Sequence, residues 1–283
     1  MTFVDLWPFA LSVGIFGLII GSFLNVVVHR LPLMMERDWR QQSREFLGLE
    51  VEPEPLFNLA RPASHCPACK QSLRWRDNIP LFSFLFLRGR CRACKTRISL
   101  RYPVLELTSA ILAVFIALQF GLSWQTLFAL IFAWTLLALS AIDIDTQLLP
   151  DSLTLPLLWL GLLINAQGLF VTPSAAIIGA VAGYVVLWCV YWLFKLLTGR
   201  EGMGFGDFKL LAALGAWLGW QALPLIILLS SVVGAVVGIA LIVLRGRDRH
   251  AAIPFGPYLA AAGFIALVWG PEFSNVLLGG VLL

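Results

Sequence analysis

This sequence predicts an all-α polytopic membrane protein of about eight transmembrane helices, with a small cytoplasmic zinc-binding domain inserted after the first. Three observations carry that prediction. Of 283 residues, 59% are hydrophobic and 13% charged, with a mean hydropathy of +0.87, outside the range of soluble domains and typical of chains with many spans. Apolar runs near the ~20 residues needed to cross the hydrocarbon core recur along the chain. Basic residues collect in three groups: fourteen of the twenty between Arg30 and Arg101, then Lys195, Arg200 and Lys209, then Arg245, Arg247 and Arg249. Cytoplasmic loops gather Lys and Arg, and eight spans with the N-terminus outside put all three groups on the cytoplasmic side.

The runs lie near 8–28, 103–121, 124–142, 153–171, 174–197, 208–221, 223–244 and 255–281, the sixth being the shortest. MTFVDLWPFALSVGIFGLII lacks a basic n-region and a small-residue cleavage site, so it reads as a retained span. The chain divides into a first helix over 1–29, a cytoplasmic domain over 30–101 and a membrane domain over 102–283. The cytoplasmic segment carries seven acidic residues, among them the run Glu50, Glu52 and Glu54, which reads as a solvated loop that could receive a basic peptide. A domain this small needs a staple.

Four of the five cysteines lie in it, as Cys66-x-x-Cys69 and Cys91-x-x-Cys94 with 21 residues between them. Two such knuckles can present four thiolates to a tetrahedral zinc ion, and a site with four cysteine ligands is closed, hence structural. Disulfides compete for the same residues, but a cytosolic position disfavours them. His65 reads as a surface or supporting residue, and Cys189, alone in an apolar span, as a packing residue.

Carboxylates inside spans are functional candidates because each costs ~2.5–3.5 kcal/mol at mid-helix. AIDIDTQLLPD places Asp143 and Asp145 at the end of the third span and Asp151 at the start of the fourth, where Asp151-Ser152 reads as an N-cap. Asp207, in GFGDFK, opens the sixth span, and Glu106 lies a turn inside the second. The threading brings Asp143 and Asp207 to one membrane edge, where two close carboxylates share a proton and split acid and base roles. Gly204 and Gly206 would permit unusual backbone angles and close approach of an extended peptide. A loop-and-cap reading of GFGD and an ion relay in a transporter are the competing readings. Lys209 either snorkels to headgroups or supports the charge on Asp207.

Taken together, GSFLNVVVHRLP, the knuckles, RGRCRACKTRISLRYPVLE, DIDTQLLPDSLTLPLLWLGLL and GMGFGDFKLLAALGAWLG resemble the bacterial type IV prepilin peptidases, over nearly the whole chain. The resemblance implies an aspartic endopeptidase of the bacterial inner membrane. It implies removal of the basic leader from type IV prepilins or type II secretion pseudopilins at the cytoplasmic face, with Asp143 and Asp207 catalytic, Asp143 being preferred to Asp145 by its spacing to Pro150. It further implies N-methylation of the new N-terminus by S-adenosylmethionine, with Gly89 linked to that activity; a turn glycine supporting the zinc fold is the alternative. Prepilins and the lipid bilayer are the expected partners, nucleic acid is not, and the oligomeric state is open.

Overall fold

The computed structural model describes residues 3–50, 55–200, 202–245 and 253–277, so Glu52 and Glu54 of the acidic run and the basic residues Arg247 and Arg249 fall outside it. Nine α-helices occur among the described residues: α1 Phe3–Phe46, α2 Phe82–Phe86, α3 Arg101–Phe120, α4 Trp124–Thr146, α5 Asp151–Asn165, α6 Pro173–Thr198, α7 Phe205–Leu218, α8 Leu223–Arg245 and α9 Gly256–Leu277. Eight of them correspond to the eight apolar runs. Five (α1, α3, α4, α6 and α8) are long and apolar enough to cross a membrane, while α5 and the start of α9 are shorter apolar helices. The chain forms two compact units, 1–134 and 135–283.

In the first unit, α1 continues without a break well past residue 29. The charge-rich stretch MERDWRQQSREF consists largely of good helix formers and carries an i,i+4 ion pair, Glu36–Arg40, at 3.0 Å. Gly48, at φ +67°, ends the helix. Its N–H donates to the Glu45 carbonyl, and that of Leu49 to Arg44, the double bond of a Schellman cap. A stripe of Gly14, Gly17 and Gly21 faces α3; a Cβ at Gly21 would lie 2.7 Å from the Glu106 Cα, and one at Gly17 2.9 Å from that of Ala110. Small residues let the backbones touch, the packing that lipid-embedded helices rely on. The Ser109 hydroxyl donates to the Gly17 carbonyl at 2.6 Å across this contact.

In the second unit, α7 is the core. It is buried on nearly every side, from Asp207 to Trp217, so its apolar surface meets protein and its 14 residues need not match the bilayer. Gly179 of α6 and Gly215 of α7 abut so closely that a Cβ on either would overlap the other's carbonyl. On the opposite face Gly161 of α5 leaves room for the Trp217 ring, whose Nε1 donates to the Leu157 carbonyl at 2.7 Å. The fully buried Asn165 donates to the carbonyls of Ala216 and Trp217 and accepts from the N–H groups of Phe170 and Val171. It thereby satisfies carbonyls that the end of α7 leaves without helical partners.

Candidate active site and metal centre

Asp143 lies one turn before the end of α4. The helix stops at Gln147, whose φ is +56° and whose N–H donates to the Asp143 carbonyl at 2.9 Å. Leu148, Leu149 and Pro150 then turn the chain into α5. Asp207 occupies the third position of α7, after the N-cap Gly204, where the helix dipole favours a carboxylate. Both aspartates are buried, at 4% and 7% exposure. Asp145 is exposed, because two residues along an α-helix turn ~200° and carry it to the opposite face of α4.

A third element completes the cluster, and the sequence reading missed it. The Gly256 N–H, the first of α9, donates to Asp143 Oδ2 at 2.9 Å. A Cβ there would lie 2.7 Å from the same oxygen and 3.0 Å from Leu149 Cδ2. The signal was present in IPFGPYL, since a Gly-Pro pair opening an apolar run is a helix-start pattern. Leu149 also explains Gly206: a Cβ on that glycine would meet Leu149 Cβ at 2.7 Å. The expectation of unusual backbone angles at Gly204 and Gly206 is corrected, because neither has a positive φ. Gly206 admits Leu149, and Gly204 has open space.

Three further expectations change. Lys209 pairs with Asp151, its Nζ 2.7 Å from both carboxylate oxygens, and so ties α7 to α5. Asp151 is the first helical residue; Pro150 holds the N-cap position, and no side chain caps it. Asp151 nevertheless sits in the first turn, where negative charge is favoured. Cys189 is exposed on α6, not packed. His65 is exposed, its Nδ1 3.0 Å from the Ala63 carbonyl.

In the first unit the two knuckles are one structure used twice. Cys66 N–H donates to Gln71 and Lys70 to Cys66; Cys91 donates to Thr96 and Lys95 to Cys91. Lys70 and Lys95 both have positive φ, at 56° and 60°, and isolated bridges His65–Ser72 and Arg90–Arg97 close the loops. The matching sequences, CPACK and CRACK, are a short internal repeat that the sequence reading passed over. All four sulfurs lie within 4.8 Å of one another, and those of Cys66 and Cys94 are 3.8 Å apart. A tetrahedral ion with Zn–S near ~2.3 Å requires sulfurs ~3.8 Å apart, so the cluster fits such an ion. The Thr96 side chain and backbone hold the Cys94 thiol down at about 6. The Gln71 backbone lowers Cys69, but desolvation and the crowded thiols outweigh it and push Cys69 up to about 11. A cation at the centre relieves that crowding.

Gly89, at φ +67°, donates its N–H to Phe84 and accepts from Ile98, and a Cβ would meet the Phe84 ring at 2.9 Å. Its N–H and carbonyl are both engaged in the turn, as the turn-glycine alternative expects. Glu106, buried in α3, accepts from the Leu81 N–H at 2.8 Å.

Two family models match this chain: the bacterial peptidase A24 N-terminal domain over residues 15–120, and the type IV leader peptidase family over 130–239. Among relatives, the prepilin leader peptidase/N-methyltransferase of Stutzerimonas stutzeri is 58% identical over 94% of this chain and 92% of its own length. The chain belongs to the type IV leader peptidase family. Proteins of the same description from Aeromonas hydrophila and Pseudomonas aeruginosa are 57% and 56% identical, each over 95% of this chain and 93% of their own. No solved structure matches the chain. The family's second matched segment contains both Asp143 and Asp207, and the first contains all four knuckle cysteines.

Proposed function

We propose that this chain is a prepilin leader peptidase and N-methyltransferase of the bacterial inner membrane, with Asp143 and Asp207 as its catalytic dyad. The observation that supports the peptidase reading is that Asp143 and Asp207 are both buried, with the Gly256 N–H on Asp143 Oδ2 and Leu149 against both Gly206 and Gly256. Substrates are type IV prepilins or type II secretion pseudopilins, whose apolar N-terminal helix lies in the bilayer. Eight spans with the N-terminus outside, and the division at residues 29 and 101, place the knuckles and the dyad on the cytoplasmic side.

In the mechanism, Asp143 is the ionised member, its Oδ2 held by the Gly256 N–H. It removes a proton as the water oxygen adds to the scissile carbonyl carbon, while protonated Asp207 donates to the carbonyl oxygen. Collapse of the tetrahedral intermediate breaks the C–N bond, and the leaving amine takes a proton from the dyad. No covalent enzyme intermediate forms. Cys66, Cys69, Cys91 and Cys94 would hold a zinc ion, whose closed set of four ligands would make it structural and leave it no part in this step. N-methylation of the new N-terminus uses S-adenosylmethionine as methyl donor; support for it is the description carried by the relatives, and no residue here is assigned a step in it.

Co-expression with a candidate prepilin, followed by intact-mass measurement, tests the reading. Loss of the leader plus one methyl group is expected, and an unchanged mass rejects it. Gly256→Ala tests the geometry, because the new Cβ must displace the Asp143 carboxylate or Leu149. A misplacement near 1 Å costs about a hundredfold in rate, so kcat should fall by that order with KM little changed. Wild-type kcat in a folded Gly256→Ala protein would argue against the role of Asp143.

A further inference from the structure

The first unit contains an exposed apolar surface that the peptidase reading does not use. On α2, Phe84 turns inward against Gly89, whereas Phe82, Leu85 and Phe86 are 58%, 69% and 86% exposed. This helix is held at a defined height. The Leu81 N–H donates to Glu106 Oε2, and Glu106 lies five residues after the start of α3 at Arg101, ~7 Å along the helix axis. The attachment is specific: Leu81 sits at φ 55° and ψ −48°, and the Phe82 N–H bonds back to the Pro80 carbonyl, a strained γ-turn that persists only where its surroundings enforce it.

α3 has 20 residues, or ~30 Å, the hydrocarbon thickness with nothing to spare. If α3 spans, its first turns lie at the membrane boundary, and so does the segment tied to Glu106. Exposed Arg88 and Arg90 follow within four residues of the end of α2, so positive charge adjoins the apolar segment in the chain.

We infer that α2 is a membrane-surface anchor, in which Phe82, Leu85 and Phe86 insert into the interface of an anionic bilayer while the neighbouring arginines meet its headgroups. Continuity with the α3 span and the charge beside α2 favour lipid as the occupant over a second protein; such a surface gains from apolar burial and from anionic lipid together. The anchor would hold the knuckle domain flat against the membrane.

The inference rests on α3 spanning the bilayer, and its test carries a control for that. p-Benzoylphenylalanine is placed in the full chain at Phe86, at Leu85, at Ile111 in the middle of α3, or at Lys95 on the second knuckle, and each protein is reconstituted in phosphatidylglycerol/phosphatidylethanolamine nanodiscs and irradiated. Lipid adducts at Phe86 and Leu85 should reach the level at Ile111 and exceed that at Lys95 about tenfold. They should fall about threefold in phosphatidylcholine alone. Adducts at Ile111 without adducts at Phe86 or Leu85 overturn the anchor, and absence at Ile111 overturns the span beneath it. Crosslinks from Phe86 to a prepilin or to a second copy of the chain overturn lipid as the occupant, and equal yield in both bilayers overturns the role of the arginines.

Discussion

Asp143→Asn and Asp207→Asn are each expected to reduce prepilin cleavage by about 10²–10⁴-fold, the range that a positioned acid or base supplies, equivalent to roughly 3–5 kcal/mol in the barrier. The amide keeps the shape of the carboxylate but neither removes a proton from water nor donates one from oxygen as an acid does. Folded yield should be preserved in both, because neither variant opens a cavity. Asp145→Asn should remain within a few-fold of wild type, since Asp145 points from the opposite, exposed face of α4. Leader removal is read by intact mass, and folding by thermal unfolding in detergent. Equal losses at Asp143, Asp145 and Asp207 would reject the dyad and point to a general effect of charge at this end of α4.

The second large effect is expected at the knuckles. Structural zinc contributes an apparent ~10–16 kcal/mol to folding in small Cys-ligated domains, and residues 57–100 contain only α2 and a single 3-10 turn as regular helix. Cys66→Ser/Cys91→Ser, or a strong chelator, should abolish metal binding and open this segment to proteolysis. Purified wild-type protein should contain one zinc per chain. Protease resistance across 57–100 that is the same with and without metal would show that the domain is held by something else. Arg30, whose guanidinium donates to the carbonyls of Asn58, Leu59 and Pro62, and Glu106, which accepts from the Leu81 N–H, each pin one loop of this segment, and neither holds the knuckle sulfurs together.

Much of this protein was legible from local pattern. The eight apolar helices follow from run length, and the knuckles from spacing alone, because two CxxC turns bring their sulfurs together through short-range backbone geometry. Charge topology and resemblance pair Asp143 with Asp207, which remains an expectation for the variants above to test. The continuation of α1 past residue 29 was less legible, because charged residues mark a membrane edge in the sequence while the same residues are helix formers that run on to the Gly48 cap.

What the sequence by itself determined was therefore each apolar helix and each knuckle turn. Tertiary structure alone decided which groups meet. The partner of Lys209 is Asp151, 58 residues away; Gly206 serves Leu149; and Asp143 is held by a backbone N–H 113 residues further along the chain. A glycine has no side chain to signal its contacts, and a helix N–H has no identity in the sequence. Such contacts exist only once α4, α7 and α9 have packed, because packing chooses which helix end faces which carboxylate.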